Sequence, residues 1–208
     1  MSELYDAVLN GQAAAAAEAT RKAIESGVPA LELVQQHMVP AMDEVGRRFE
    51  SEEYFVPELL LSARAMKASL ALIRPLLASR GSESAGRVVI GAVKGDLHDI
   101  GKNIVASMLE GGGFEVIDLG ANVAPETFVE AVRAHHAGLV CLSALLTVTM
   151  PAMRTTLNAL DAAGLRGQVK VIVGGAPVTQ RYADEIGADG YGENAVTTVA
   201  LARRLVGA

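Results

Sequence analysis

Residues 95–105 read GDLHDIGKNIV and stand between a hydrophobic strand and an apolar helix. A strand-to-helix turn needs one glycine and one capping residue. This turn instead carries His98 at its tip, with Asp96 two residues before it and Asp99 just after. Asp96 is near enough to hydrogen-bond one ring nitrogen, leaving the other free as a base or a metal ligand. Gly95 and Gly101 let the backbone turn and let something bulky approach. A capped structural turn is the alternative. A bare zinc site fits poorly, because His37, His135 and His136 fall in helices of other segments and no Cys or His pair has zinc spacing.

Three other loops hold unusual residues. SALLTVT sets the hydroxyls of Ser143, Thr147 and Thr149 among Leu145 and Leu146, as a wall facing both polar and apolar atoms would. A helix N-cap by Thr147 or Thr149 is the plainer reading. VGGAPVT pairs Gly174 with Gly175, either for a simple turn or for backbone lying flat against a ligand. Gly192, Glu193 and Asn194 follow a weak fifth apolar run. GxxxxGK[ST] is missing and the first turn has no GxGxxG, which argues against nucleoside triphosphates and nicotinamide dinucleotides.

These loops need elements to place them. From Arg87 onward, RVVIGAV, FEVIDLG, GLVCLSA, VKVIVGG and DGYG have strand length. Helix-length segments cover 99–112, 125–137, 149–164, 178–187 and 194–206. Strands alternating with helices predict a parallel sheet wound on both faces, and five units suit a flavodoxin-like order. Ligands in such sheets sit at the carboxyl ends of the strands, where all four loops fall. Ile100, Ile104 and Met108 predict the sheet-facing side of the first helix.

Residues 1–80 carry the helical period and no strand signal. QAAAAAEATRKAIESG reads as a helix closed by Gly27. Leu31, Val34, Met38, Met42, Val45 and Phe49 predict one helix of about twenty residues. Pro57 suits a first helical turn, and Leu60, Ala63, Met66, Leu70, Ile73 and Leu77 form a second stripe. Three or four bundled helices are expected, joined by ASRGSESAGR, residues 78–87, to the sheet domain at 87–208. The fold class is therefore α/β: an N-terminal helical bundle plus a C-terminal flavodoxin-like, Rossmann-like five-stranded parallel sheet.

Half of the 208 residues are apolar, the net charge is −6 and no long basic run occurs, which argues against a nucleic-acid partner. No unbroken apolar stretch reaches the length of about 18 residues that suggests a membrane span. MSELYDAVLNGQ lacks the layout of a secretory signal, and the lone Cys141 in an apolar run reads as a buried thiol. A cytoplasmic protein is expected.

GDLHDIGKN resembles the DxHxxG signature of cobalamin-binding domains. SALLTVT is similar to that family's Ser-x-Leu-x-Thr-x-Ser/Thr loop, and VGG to its glycine pair, in the same order. VGRRFESEEYFVPELLLSARAMK resembles the helical cap that precedes this domain in methionine synthase and in stand-alone corrinoid proteins of methyltransferase systems. The resemblance covers essentially the whole chain.

It implies that His98 displaces the benzimidazole of cobalamin and binds cobalt from below. Asp96 would hold the other ring nitrogen and Thr149 would hold Asp96, making the three catalytic positions. Gly95, Leu97, Asp99, Ile100 and Gly101 would surround that ligand. Gly101, Ser143, Leu145, Thr147, Gly174 and Gly175 would line a cleft for the displaced nucleotide tail, with Gly192, Glu193 and Asn194 along the corrin edge. Phe49 and Val56, where leucine is usual, would press on the upper face. The bundle would swing away when a partner docks, with 78–87 as hinge; ordinary bundle core is the other reading of Phe49.

The implied function is a methyl carrier that is half a reaction alone. A donor-specific methyltransferase would load it, an acceptor-specific methyltransferase would unload it, and a reductive activase would restore it. A cobalamin-dependent sensor is the alternative, although no basic recognition helix is present. A radical mutase subunit would not need the cap, and a flavodoxin-like domain without corrinoid would not need the motifs.

Overall fold

The computed structural model describes residues 2–78 and 85–207. Most of the expected 78–87 linker lies outside them. The chain divides into two units, residues 1–84 with 110–113 and residues 85–109 with 114–208.

The first unit holds α1 (Ser2–Leu9), α2 (Ala13–Glu25), α3 (Ala30–Leu33), α4 (Val39–Glu50) and α5 (Val56–Ala78). Ala16 and Thr20 of α2 are fully buried, and the Thr20 hydroxyl donates to the Ala16 carbonyl, which removes its need for a partner elsewhere. Leu59, Ala63, Met66, Leu70 and Ile73 form the buried face of α5. Leu60, expected there, is exposed; Leu59 takes its place because the stripe begins one residue earlier.

The expected twenty-residue helix is not continuous. Residues Val34–Met38 form a π-helical turn between α3 and α4, and the Val39 N–H donates to Val34, five residues back. Pro40, at the start of α4, explains it: proline has no N–H to give and its ring crowds the carbonyl four residues earlier, so the ladder is reset. Met38, Met42 and Val45 are still buried, while Val34 and Phe49 are half-buried.

The turn between α4 and α5 is held by charge. Glu44 accepts from Arg47 at 2.7 Å and from Arg48 at 2.8 Å, and these guanidinium groups hold its carboxyl at about 2. Arg48 lies 5.2 Å from the Tyr54 ring centroid, and the Tyr54 hydroxyl reaches the Leu9 carbonyl at 3.4 Å. This corner presents Phe55, 63 % exposed, together with Val56, Leu60 and Leu61.

The second unit is a five-stranded parallel sheet of β1 (Arg87–Ala92), β2 (Glu115–Asp118), β3 (Leu139–Ser143), β4 (Lys170–Gly174) and β5 (Gly190–Gly192), in the order β2-β1-β3-β4-β5. Its helices are α6 (Ile100–Gly111), α7 (Pro125–His135), α8 (Pro151–Ala162), α9 (Gln180–Ile186) and α10 (Ala195–Val206). Strands β1, β3 and β4 are buried on both faces, as parallel strands between helices must be. Phe128 of α7 and Met153, Leu157 and Leu160 of α8 pack on Val89, Val140, Leu142, Val171 and Val173. Strand order reverses at β1, so right-handed crossovers put α6 on the face opposite α7. Among the described residues no helix is long and apolar enough to cross a membrane.

Candidate functional site

The register aligns the carboxyl ends of four strands. Ala92 pairs with Ser143, Ser143 with Gly174, and Gly174 with Gly192. The four loops singled out in the sequence therefore leave from one edge. The crevice of an open α/β sheet lies where strand order reverses, here between β1 and β3. The turn after β1 carries Asp96 and His98, and the loop after β3 carries Leu145 to Thr149.

Asp96 is fully buried and every polar atom of its side chain is used. One oxygen, Oδ1, accepts from the His98 backbone N–H at 3.0 Å and lies 2.9 Å from His98 Nδ1. The other, Oδ2, accepts from the Leu145 N–H at 2.7 Å and from Thr149 Oγ1 at 2.6 Å, with the Leu146 N–H farther off at 3.4 Å. Burial alone pushes this carboxyl up. The bonds from Thr149, the His98 and Leu145 N–H groups and the His98 ring outweigh burial, and hold it well below the usual carboxylate range.

Asp96 is therefore ionised and fixes the His98 tautomer. A carboxylate accepts only, so the neutral ring carries its proton on Nδ1 and keeps a lone pair on Nε2. The His98 side chain is 48 % exposed, so Nε2 is open to an incoming group. Among the described residues, no three His, Cys, Asp or Glu side chains are arranged to hold a metal ion. His98 is thus a single protein donor, suited to a metal that brings its other ligands with it.

The expected N-cap by Thr147 or Thr149 is not made. Helix α8 begins at Pro151, with Met150 before it and no side-chain cap. Thr147 is exposed, and Thr149 turns inward to Asp96. The Thr149 and Met150 N–H groups donate to the Leu146 carbonyl at 3.0 and 3.3 Å.

Ile100 also departs from expectation. It is 78 % exposed, whereas Met108 is buried as expected, Ile104 is half-buried, and Lys102, Ala106 and Leu109 also turn inward. Leu97, Val148 (80 % exposed), Leu145 and Leu146 are exposed too, so apolar side chains on both loops flanking the crevice are bare. Exposed leucines are ordinary singly; five apolar residues beside one half-exposed histidine are a surface built to be covered. Gly101 adds room, since a Cβ there would meet nothing within 4 Å. Asp99 is half-buried, and its carbonyl accepts from the Asn103 N–H at 2.8 Å.

The glycines elsewhere on the edge have reasons inside the protein. A Cβ on Gly175, at φ +130°, would lie 1.9 Å from the Ala144 carbonyl oxygen. One on Gly174 would lie 2.9 Å from the Gly192 oxygen, and one on Gly192 would lie 2.2 Å from Thr198 Oγ1. Asn194 caps α10 reciprocally with Thr197, and Glu193 is exposed. Ser143, the last residue of β3, is half-buried. Phe49 and Val56 belong to the first unit, where Phe49 is half-buried and Val56 is exposed.

Two contributions escape a reading of the sequence. Asn122, at φ +54°, donates its N–H to the Asp96 carbonyl at 2.8 Å and accepts from the Gly95 N–H through Oδ1 at 2.8 Å. Asparagine tolerates this left-handed conformation, and a Gly-Ala-Asn run after a strand is the signal. Buried Lys102 pairs with the more exposed Asp118, a contact marked only by a lysine on the apolar side of a helix.

The sequence matches family models described as B12 binding domains over residues 86–200 and over residues 2–74. It is 45 % identical over 201 residues to trimethylamine corrinoid protein 1 of Methanosarcina mazei, covering 96 % of this chain and 93 % of that one. It is 40 % identical to the dimethylamine corrinoid protein of Methanosarcina barkeri, covering 99 % and 97 %. A crystal structure of a cobalamin-binding protein from Desulfitobacterium hafniense superposes with a TM-score of 0.82 at 36 % identity, covering 97 % of this chain and 96 % of that one. The structure of a methanol:cobalamin methyltransferase complex from Methanosarcina barkeri includes a chain matched with a TM-score of 0.84 at 28 % identity, covering 99 % and 78 %.

Proposed function

Because the chain belongs to the B12 binding domain family, we propose that it is a corrinoid methyl carrier that binds cobalamin base-off, with His98 on cobalt. The observation that carries this reading is the half-exposed His98, held through Nδ1 by a buried, ionised Asp96 and free at Nε2. The residues present fit the group. The exposed apolar side chains of Leu97, Ile100, Leu145, Leu146 and Val148, and the open side of Gly101, offer a macrocycle the uncharged contact surface it needs.

A bound corrinoid supplies a cobalt atom that can accept a methyl group and give it up. The protein's part is to offer and withhold a nitrogen. With Nδ1–H bonded to Asp96, His98 presents the Nε2 lone pair in a fixed direction. Thr149 and the Leu145 N–H hold Asp96 in place beside that ring.

Gly95, Asp99 and Gly101 would let the corrin approach the turn. Ser143, Thr147, Gly174 and Gly175 would line the tail cleft, and Gly192, Glu193 and Asn194 the corrin edge. Phe49 and Val56 would be apolar contacts from the first unit. The partners would be two methyltransferases, one specific for donor and one for acceptor, and a reductive activase; a relative's place in a methanol:cobalamin methyltransferase complex supports a methyltransferase partner. Reconstitution with cobalamin tests the reading. Wild-type chain should give a base-off, imidazole-ligated absorption spectrum, and His98→Ala should lose it with much of the affinity. Cobalamin bound with benzimidazole still on cobalt would overturn it.

A further inference from the structure

Helix α6 carries a charge in an unusual place. The Lys102 side chain is only 1 % exposed and sits in the first turn, where the unpaired N–H groups already make a positive end. Its ammonium is bonded to both oxygens of Asp118, at 2.6 and 2.5 Å, and to Asn103 Oδ1 at 2.6 Å. Asp118 is the last residue of β2, and its Oδ1 also accepts from the Gly120 N–H at 2.8 Å. A buried ammonium is tolerated only while its counter-ion stays in place, so the pair fixes where α6 can begin.

That position matters because of what lies on the other side. Strand β1 runs between β2 and β3. Upstream, the turn after β1 is tied to the β3 loop through Asp96, which reaches Leu145 and Thr149. Downstream, Lys102 ties it to the end of β2. In the tip between the two ties, residues 97–101, Leu97, His98 and Ile100 are exposed.

We propose that Lys102 and Asp118 are positioning residues that hold the His98 turn in its cobalt-binding geometry before any cofactor arrives. The Asp96 contact fixes the ring; the Lys102 contact fixes the helix start from which the turn hangs. The proposal rests on His98 being the cobalt ligand, and the experiment separates the two.

Lys102→Met is the primary variant, because Met replaces the buried stem while Asp118, 38 % exposed, stays hydrated. Lys102→Arg, which keeps the charge, and Asp118→Asn accompany it. Amide exchange is followed in the cofactor-free full chain, and binding and spectrum are followed with aquocobalamin. In Lys102→Met we expect exchange in residues 95–103 to rise about tenfold or more while β3 and β4 remain protected. Cobalamin affinity should fall about 10- to 100-fold, the range typical of residues behind a metal ligand, with a smaller imidazole-ligated fraction. Lys102→Arg should recover part of both. Unchanged exchange in 95–103, or a rise spread evenly over the whole sheet, overturns the proposal. If wild type lacks an imidazole-ligated spectrum, the His98 assignment fails, and the exchange result alone then decides whether the pair holds the turn.

Discussion

Thr149 Oγ1 donates to Asp96 Oδ2 at 2.6 Å, joining two residues 53 positions apart across the β1–β3 crevice. The bond is short, buried and made to an ionised acceptor. Such bonds contribute about 1.5–3 kcal/mol. Thr149→Val, which keeps the shape and removes the donor, should lower unfolding free energy by about that amount in urea titrations. Thr149→Ser should lose about 1 kcal/mol or less, since it keeps the hydroxyl and drops one methyl. Equal losses for both would mean that the hydroxyl contributes nothing.

The depressed Asp96 carboxyl has a pH signature. Its folded value lies below its unfolded value of about 3.9, so its stabilisation is complete above the unfolded value and is lost as pH falls through the folded one. The stability difference between wild type and Asp96→Asn should be level above about pH 5 and shrink below about pH 4. Urea midpoints from pH 2.5 to 7 measure it. A difference that grows on acidification would contradict the sign.

Two glycines should behave in opposite ways. Gly175→Ala forces a Cβ against the Ala144 carbonyl at a left-handed φ, and should cost about 4 kcal/mol or more in thermal unfolding. Gly101→Ala meets nothing and replaces a helix glycine, so the cofactor-free chain should gain about 0.5–1 kcal/mol. Cobalamin titration of Gly101→Ala should nonetheless show weaker binding. Undiminished affinity would remove the corrin from that face of α6.

What could be read in the sequence follows from what was local. The five strand runs are each a few residues long with helices between, so they fall where the apolar runs place them, down to Gly190–Gly192. Strand order and the pairing of Ala92, Ser143, Gly174 and Gly192 are long-range facts that no short window contains. The DLHD spacing predicts a carboxylate near one ring nitrogen, and the 2.9 Å contact has that geometry. Periodicity places Ile100 inward because apolar residues usually are, whereas here it is exposed, as are Leu97, Leu145, Leu146 and Val148 on the two loops that flank the crevice. Lys102 was invisible for the converse reason: a buried lysine is recognised only once Asp118 is seen beside it.

Electron paramagnetic resonance of the chain loaded with cob(II)alamin tests the central claim most directly. The protein is made once with ordinary histidine and once with ring-15N histidine. Axial ligation by His98 predicts nitrogen splitting that changes from a triplet to a doublet on labelling, and that disappears in His98→Ala. A triplet that survives labelling, or a spectrum with no nitrogen splitting, would contradict it.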